Sequence, residues 1–172
     1  MAEQETITRH TLSVLVDDVD GIITRVTALF TRRGYNLVSL VSAKTATEGI
    51  NRLTVVVDAT EHAVEQITKQ LYKLIQVHKV LELDDGTSVG RQLLLVKVTA
   101  DNLTRPQVVD AANLFRARVI DVGVDSVIIE ATGNSAKLKA FLEVMETFGI
   151  RELARSGSVA LSRGSKTMAK AD

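Results

Sequence analysis

The sequence predicts an α+β protein made of two consecutive domains, each with the element order β-α-β-β-α-β. Three observations carry this reading. Short apolar runs alternate with stretches of helical periodicity, the same order of elements occurs twice, and a polar break at Asp84-Asp85-Gly86-Thr87-Ser88 falls between the two occurrences. A chain of 172 residues holds one ordinary domain or two small ones.

In the first half, residues 12–16 are a short apolar strand. From Asp20 the spacing changes to Ile22, Val26, Leu29 and Phe30, the stripe of a helix, with Asp20 placed as its N-cap. Gly34 ends that helix as a C′ residue. Residues 37–43 and 53–57 read as strands separated by a loop around Glu48-Gly49. A second helix, capped by Thr60, carries Val64, Ile67, Leu71 and Leu74 on one face, and residues 77–83 supply a fourth strand.

Beyond the break the plan recurs. Residues 93–98 are a strand, and Thr104-x-x-Gln107 has the pattern of a capping box opening a helix with Val108, Ala111, Ala112 and Phe115 inward. Residues 119–122 and 127–131 are strands joined by a tight turn at Gly123-Val124-Asp125. The last helix, with Leu138, Phe141, Leu142 and Met145 inward, closes at Gly149, and residues 150–161 hold a final strand. Each half is thus the split β-α-β arrangement called ferredoxin-like, with helices covering one face of the sheet. The expected division is an extension over residues 1–8, a first domain over 9–84, a linker over 85–90, a second domain over 91–163 and a tail over 164–172. The first strand of each half is apolar on both faces, which predicts self-association or a partner.

Composition removes several function classes. Twenty-one basic residues balance 21 acidic ones, and the isoelectric point is near 6.8, so no basic field gathers nucleic acid or an anionic membrane surface. With no Cys there is neither a disulfide, a Cys-based zinc site nor thiol catalysis. The start of the chain carries Glu3 and Glu5 without an apolar run, and no run reaches the ~18 residues of a membrane span. A soluble cytoplasmic protein is expected. His10, His62 and His78 are scattered and read as ordinary surface or edge residues, so no catalytic constellation emerges. Asp17, Asp18 and Asp20 crowd one turn, but an EF-hand counted from Asp18 would meet Ile23 and Leu29 where Gly and Glu are required, so no metal is assigned. The glycines between Gly86 and Gly90 lack a P-loop ending and precede a strand. An RNA reader of this fold stacks bases on strand aromatics, and residues 50–57 contain none.

What remains is the turn Asp17-Asp18-Val19-Asp20-Gly21. A glycine-containing strand-to-helix turn presents backbone N–H groups at the positive end of a helix, where the carboxylate of a small molecule docks. Gly21 is required because a Cβ would intrude on the ligand or forbid the turn. Asn36, whose amide both donates and accepts, is expected to restart the chain near this turn and to suit a ligand with an ammonium and a carboxylate.

These residues resemble a known family. Leu12-Ser13-Val14-Leu15-Val16, Gly21, Arg25-Val26, Leu29-Phe30, Arg32-Arg33-Gly34-Tyr35-Asn36-Leu37, Ser39-Leu40 and Arg52-Leu53-Thr54 are similar to the amino-terminal ACT domain of acetolactate synthase (acetohydroxyacid synthase) small, regulatory subunits. Leu95-Val96-Lys97-Val98, Phe115-Arg116-Ala117, Val119-Ile120-Asp121-Val122, Phe148-Gly149-Ile150, Ala154-Arg155-Ser156-Gly157 and Ser162-Arg163-Gly164 resemble the carboxy-terminal domain of those subunits. The resemblance covers about residues 9–166.

It implies a homodimeric, non-catalytic subunit that joins the large catalytic subunit of acetolactate synthase, stimulates it, and confers feedback inhibition by branched-chain amino acids, valine first among them. The implied reaction condenses pyruvate with a second 2-oxo acid and releases CO₂, in valine, leucine and isoleucine biosynthesis. Thiamine diphosphate, Mg²⁺ and FAD would belong to the catalytic partner and none to this chain. The family's effector turn falls on Asp18, Gly21 and Ile22, and its second-strand contacts on Asn36 and, further along, Ala43. One departure is Asp18, where many relatives carry Asn; facing an ammonium it would help binding, and facing a carboxylate it would repel. The alternative reading is a free-standing amino-acid-binding ACT module that controls transcription or another pathway enzyme.

Overall fold

The computed structural model describes residues 6–168. The chain forms two compact units: residues up to Val89 together with those from Ser158 onward, and Gly90–Gly157. The expected extension and tail lie partly outside the described residues.

The first unit contains β1 (Thr8–Asp17), α1 (Ile22–Arg32), β2 (Asn36–Lys44), β3 (Ile50–Ala59), α2 (Glu61–Leu71) and β4 (Val77–Glu82). Its antiparallel sheet has the order β2-β3-β1-β4. β1 and β3 pair without interruption over ten residues, from Thr8 opposite Ala59 to Asp17 opposite Ile50. In this register Leu12, Val14 and Val16 share a sheet face with Leu53, Val55 and Val57, because side chains alternate along a strand. That face packs on Ile22, Val26 and Phe30 of α1 and Val64, Ile67 and Leu71 of α2, so the two helices and the sheet enclose one apolar core. Leu15 and Val56, on the opposite face, are only 3% and 6% exposed. The apolar second face of β1 is thus covered at Leu15, whereas Leu93 in the first strand of the second unit is 38% exposed.

The second unit repeats the plan with β5 (Ser88–Thr99), α3 (Arg105–Leu114), β6 (Arg118–Val122), β7 (Ser126–Gly133), α4 (Ser135–Glu146) and β8 (Ile150–Arg155). The strand order β6-β7-β5-β8 matches that of the first sheet position by position. Leu94, Val96 and Val98 of β5 and Val127, Ile129 and Ala131 of β7 face Val108 and Ala112 of α3 and Leu138, Phe141 and Met145 of α4. Phe115 and Phe141 meet edge to face with ring centroids 5.4 Å apart, a favoured aromatic geometry. The two ferredoxin-like domains are as expected.

Strand limits differ from the sequence reading. β1 and β3 extend beyond their apolar centres into Thr8, Arg9 and Asp58, because backbone pairing continues past the residues that supply burial. β5 begins at Ser88, inside the segment expected as a linker. The single strand expected over 150–161 is two strands, β8 and β9 (Val159–Ser162), and in the first unit Arg163 N–H reaches Thr87 O at 2.8 Å.

Helix ends divide likewise. Gly34, at φ 69°, closes α1 in a Schellman motif, with Gly34 N–H on Thr31 O and Tyr35 N–H on Phe30 O. Thr60 caps α2 as expected, its Oγ1 accepting from Ala63 N–H at 3.2 Å. The capping box at Thr104 does not form, because Thr104 is already in helical conformation and its hydroxyl donates to Asp101. Asp20 is not the N-cap of α1 either; that position is Gly21, which has no side chain to cap with.

Phe30 is 1% exposed and Phe141 0%, each at the centre of its own core. Truncating either to Ala is expected to cost about 3–5 kcal/mol, measured by urea unfolding of the full chain.

Candidate functional site

The turn between β1 and α1 is fixed from both neighbouring connections. Asp17 N–H donates to Gln76 O at 2.9 Å in the loop before β4, and Asp18 N–H donates to Gly49 O at 2.8 Å in the loop before β3. Asp17 Oδ1 also contacts His78 Nε2 at 2.6 Å, and Asn51 Nδ2 donates to Asp18 Oδ1 at 2.8 Å. The carboxylates of Asp17 and Asp18 are thus engaged away from the helix end. Asn51 Oδ1 lies buried behind Asp18 without a hydrogen-bond partner.

Gly21 takes φ 77°, the left-handed region that a side chain disfavours. A Cβ built there meets no atom within 4 Å. Within the chain the requirement for glycine is therefore one of backbone conformation, not of crowding. The first helical bond runs from Arg25 N–H to Gly21 O, and Ile22 N–H reaches Val19 O at 3.3 Å. Among the described residues, the N–H groups of Asp20, Gly21, Ile23 and Thr24 have no acceptor.

The other helices end differently. Thr60 and Asn134 cap α2 and α4 through side-chain oxygens, to Ala63 N–H and Lys137 N–H. At α3, Asp101 Oδ1 accepts from Leu103 N–H at 2.9 Å, from Thr104 N–H at 2.8 Å and from the Thr104 hydroxyl. Those bonds hold the Asp101 carboxyl below the usual carboxylate range. The turn of the second unit that corresponds to Asp17–Gly21 is already filled by its own anion, whereas the α1 end meets no side-chain acceptor and leaves its positive dipole open.

The five sequence-predicted residues fall in three places. Asp18 and Gly21 are in the turn. Ile22 is adjacent but buried in the core, so its side chain faces away from a ligand approaching the turn. Ala43 is exposed on the edge strand β2, in the row with Arg52 of β3 and Leu15 of β1, near the turn. Asn36 is not near the turn. It lies in the row with Asp58 and Arg9, at the opposite end of the sheet, seven residues from Ala43 or roughly 23 Å along the strand. The reason is the crossover: α1 returns the chain to the end where β1 began.

At that far end Asn36 Nδ2 donates to Asp58 Oδ2 at 3.2 Å, while Arg9 makes two bonds to the same carboxylate, Nε to Oδ1 at 2.9 Å and Nη2 to Oδ2 at 3.1 Å. The Arg9 hydrogen bond chiefly holds the Asp58 carboxyl below its ordinary pKa, with smaller help from the Arg9 charge and from Asn36. Sequence reading missed Asn51, His78, Arg9 and Asp58. None belongs to a local motif; only strand register brings them to the turn or to Asn36. His10 and His78, expected as ordinary surface or edge residues, each contact a carboxylate, and His10 is 6% exposed.

A lowered folded-state pKa means that the Asp58 contribution to stability is complete above the ordinary value of 3.8 and is lost as pH falls. Stability measured by urea unfolding is expected to decline as pH drops below about 4, less steeply in Asp58→Asn, whose side chain does not titrate.

The comparisons with known proteins follow the same two-part division. Residues 12–79 match a family described as the AHAS small subunit-like ACT domain, and residues 91–164 match one described as the small subunit of acetolactate synthase. The acetolactate synthase small subunit of Mycobacterium bovis is 57% identical over 155 residues, covering 90% of this chain and 92% of that protein. A probable acetolactate synthase small subunit of Methanothermobacter thermautotrophicus is 45% identical, covering 98% of this chain and all of its own length. The crystal structure of the acetolactate synthase small subunit from Thermotoga maritima superposes with a TM-score of 0.85 at 35% identity, covering 93% of this chain and 100% of that one.

Proposed function

Because the chain belongs to the family of acetolactate synthase small subunits, we propose that it stimulates the large, thiamine-diphosphate-dependent catalytic subunit and makes it subject to feedback inhibition by a branched-chain amino acid, valine first among them. It works in the cytoplasm as a homodimer and has no catalytic residues of its own. Thiamine diphosphate, Mg²⁺ and FAD reside on the catalytic partner, which joins pyruvate to a second 2-oxo acid in valine, leucine and isoleucine biosynthesis.

The observation that carries this reading is the α1 end of the ACT domain, where the N–H groups of Asp20, Gly21, Ile23 and Thr24 meet no acceptor among the described residues. The effector's carboxylate docks on those groups beside Gly21. Asp18, already held by Asn51, is turned aside from the carboxylate and stands ready for the ammonium. Asn36 completes the site from a second copy. β2 is the outer strand of its sheet, and two β2 edges paired antiparallel about a two-fold axis bring Asn36 of one protomer level with the Ala43 end, and hence the turn, of its partner. The separation of ~23 Å within one chain is what makes the dimer necessary.

Binding in the millimolar to micromolar range has about 4–8 kcal/mol available, and only the difference in affinity between two states of the assembly, typically about 1–3 kcal/mol, resets the partner. Inhibition is therefore partial.

Gly21→Asp puts a carboxylate at the effector's place in a conformation Asp tolerates. It is expected to keep the dimer and the stimulation but to raise the inhibiting valine concentration at least ~10-fold; unchanged inhibition would place the effector elsewhere. Asn36→Ala is expected to weaken valine binding in calorimetry by a similar factor. Used as bait in an extract of its own cells, the chain should bring down a thiamine-diphosphate protein, and it should not turn over pyruvate alone. Turnover without a partner would refute the regulatory reading.

A further inference from the structure

His10 of β1, Glu61 at the first residue of α2 and Glu82 at the last residue of β4 converge at one end of the first unit, their candidate ligand atoms all within 4.8 Å of one another. Strand register explains the meeting. His10 pairs with Val57, three residues before α2 is capped by Thr60, and Glu82 pairs with Leu12, which shares a sheet face with His10. His10 is 6% exposed, while both glutamates open to solvent.

From this geometry we propose a binding site for one borderline divalent cation of the Zn²⁺ class, held by His10 Nδ1 and one carboxylate oxygen each from Glu61 and Glu82, with water completing the coordination. Two carboxylates so close repel each other, and a cation between them removes that repulsion. The imidazole nitrogen selects Zn²⁺, Co²⁺ or Ni²⁺ over Ca²⁺ and Mg²⁺, which favour all-oxygen sites. The outer contact is in place as well. His10 Nε2 lies 2.8 Å from Thr8 Oγ1, so an Nε2–H donated to that hydroxyl leaves the Nδ1 lone pair for the metal, the arrangement that fixes ligating histidines elsewhere. Nδ1 now contacts Glu82 Oε1 at 2.6 Å, a contact that the cation replaces on binding, with any proton between the two groups released to solvent. Thr60, not Glu61, caps α2, so the Glu61 carboxylate is free to serve without uncapping the helix. The bound ion ties β1, α2 and β4 together and stabilises the first unit.

The test uses the full chain without a polyhistidine tag, stripped with a chelator. Calorimetry with Zn²⁺ is expected to show one site per chain, and Zn²⁺ to raise the melting temperature. Co²⁺ should give the visible absorption of a nitrogen- and oxygen-ligated ion. His10→Gln and Glu61→Gln should each weaken Zn²⁺ at least ~10-fold. Because His10 is buried, Glu61→Gln on the exposed helix start is the variant expected to melt like the parent in chelator. His62→Gln should leave the affinity unchanged. Absence of saturable Zn²⁺ binding, equal affinity in the Glu61→Gln chain, or Mg²⁺ binding as tight as Zn²⁺ would overturn the site.

Discussion

The ten-residue antiparallel pairing of β1 with β3 is the constraint on which the first unit depends. It decides which side chains face the helices, so Leu12, Val14 and Val16 meet Leu53, Val55 and Val57 in one core. A slip of one residue would turn that entire set to the other face. The same register sets the two ends of the sheet. At one end Asp17 and Asp18 meet His78 and Asn51; at the other Arg9, Asp58 and Asn36 form a row. Charged and amide groups with no local reason to associate are thereby made neighbours.

The two units share strand order and helix placement but not the treatment of the helix that follows the first strand. In the second unit Asp101 occupies the N–H groups before α3, and Arg105 reaches back to Gly123 O and Val124 O. That connection is closed on itself. In the first unit Gly21 stands immediately before the helix, where the second has Thr104, and Asp18, at the offset of Asp101, is held by Asn51. One fold thus yields a turn whose carboxylate occupies the N–H groups before the helix and a turn whose Asp17 and Asp18 carboxylates are engaged elsewhere.

Asn36 shows how topology separates residues that follow one another closely in the order of elements. A helix that crosses back over a sheet returns the chain to the end it started from, so the first residue of β2 is remote from the end of β1. Residues adjacent in the order of elements are therefore far apart in one protomer, and an antiparallel two-fold contact along β2 is the simplest operation that reunites them. The effector reading and the dimer are for this reason a single proposal.

The sequence by itself determined the element types, the repeated β-α-β-β-α-β order, the Schellman end at Gly34, the Thr60 cap and the turn at Gly21, because each rests on side-chain periodicity or on backbone preferences spanning a few residues. The family, too, was legible in runs of residues along both halves. Only the tertiary structure decided the rest: that Asp101 replaces Thr104 at the start of α3, that Leu15 is covered, that Asn36 lies at the far end of the sheet, and that His10 is buried between two glutamates from other elements. Those facts follow from strand register and crossover direction, which join residues such as His10 and Glu82 that are 72 positions apart and leave no trace in local spacing.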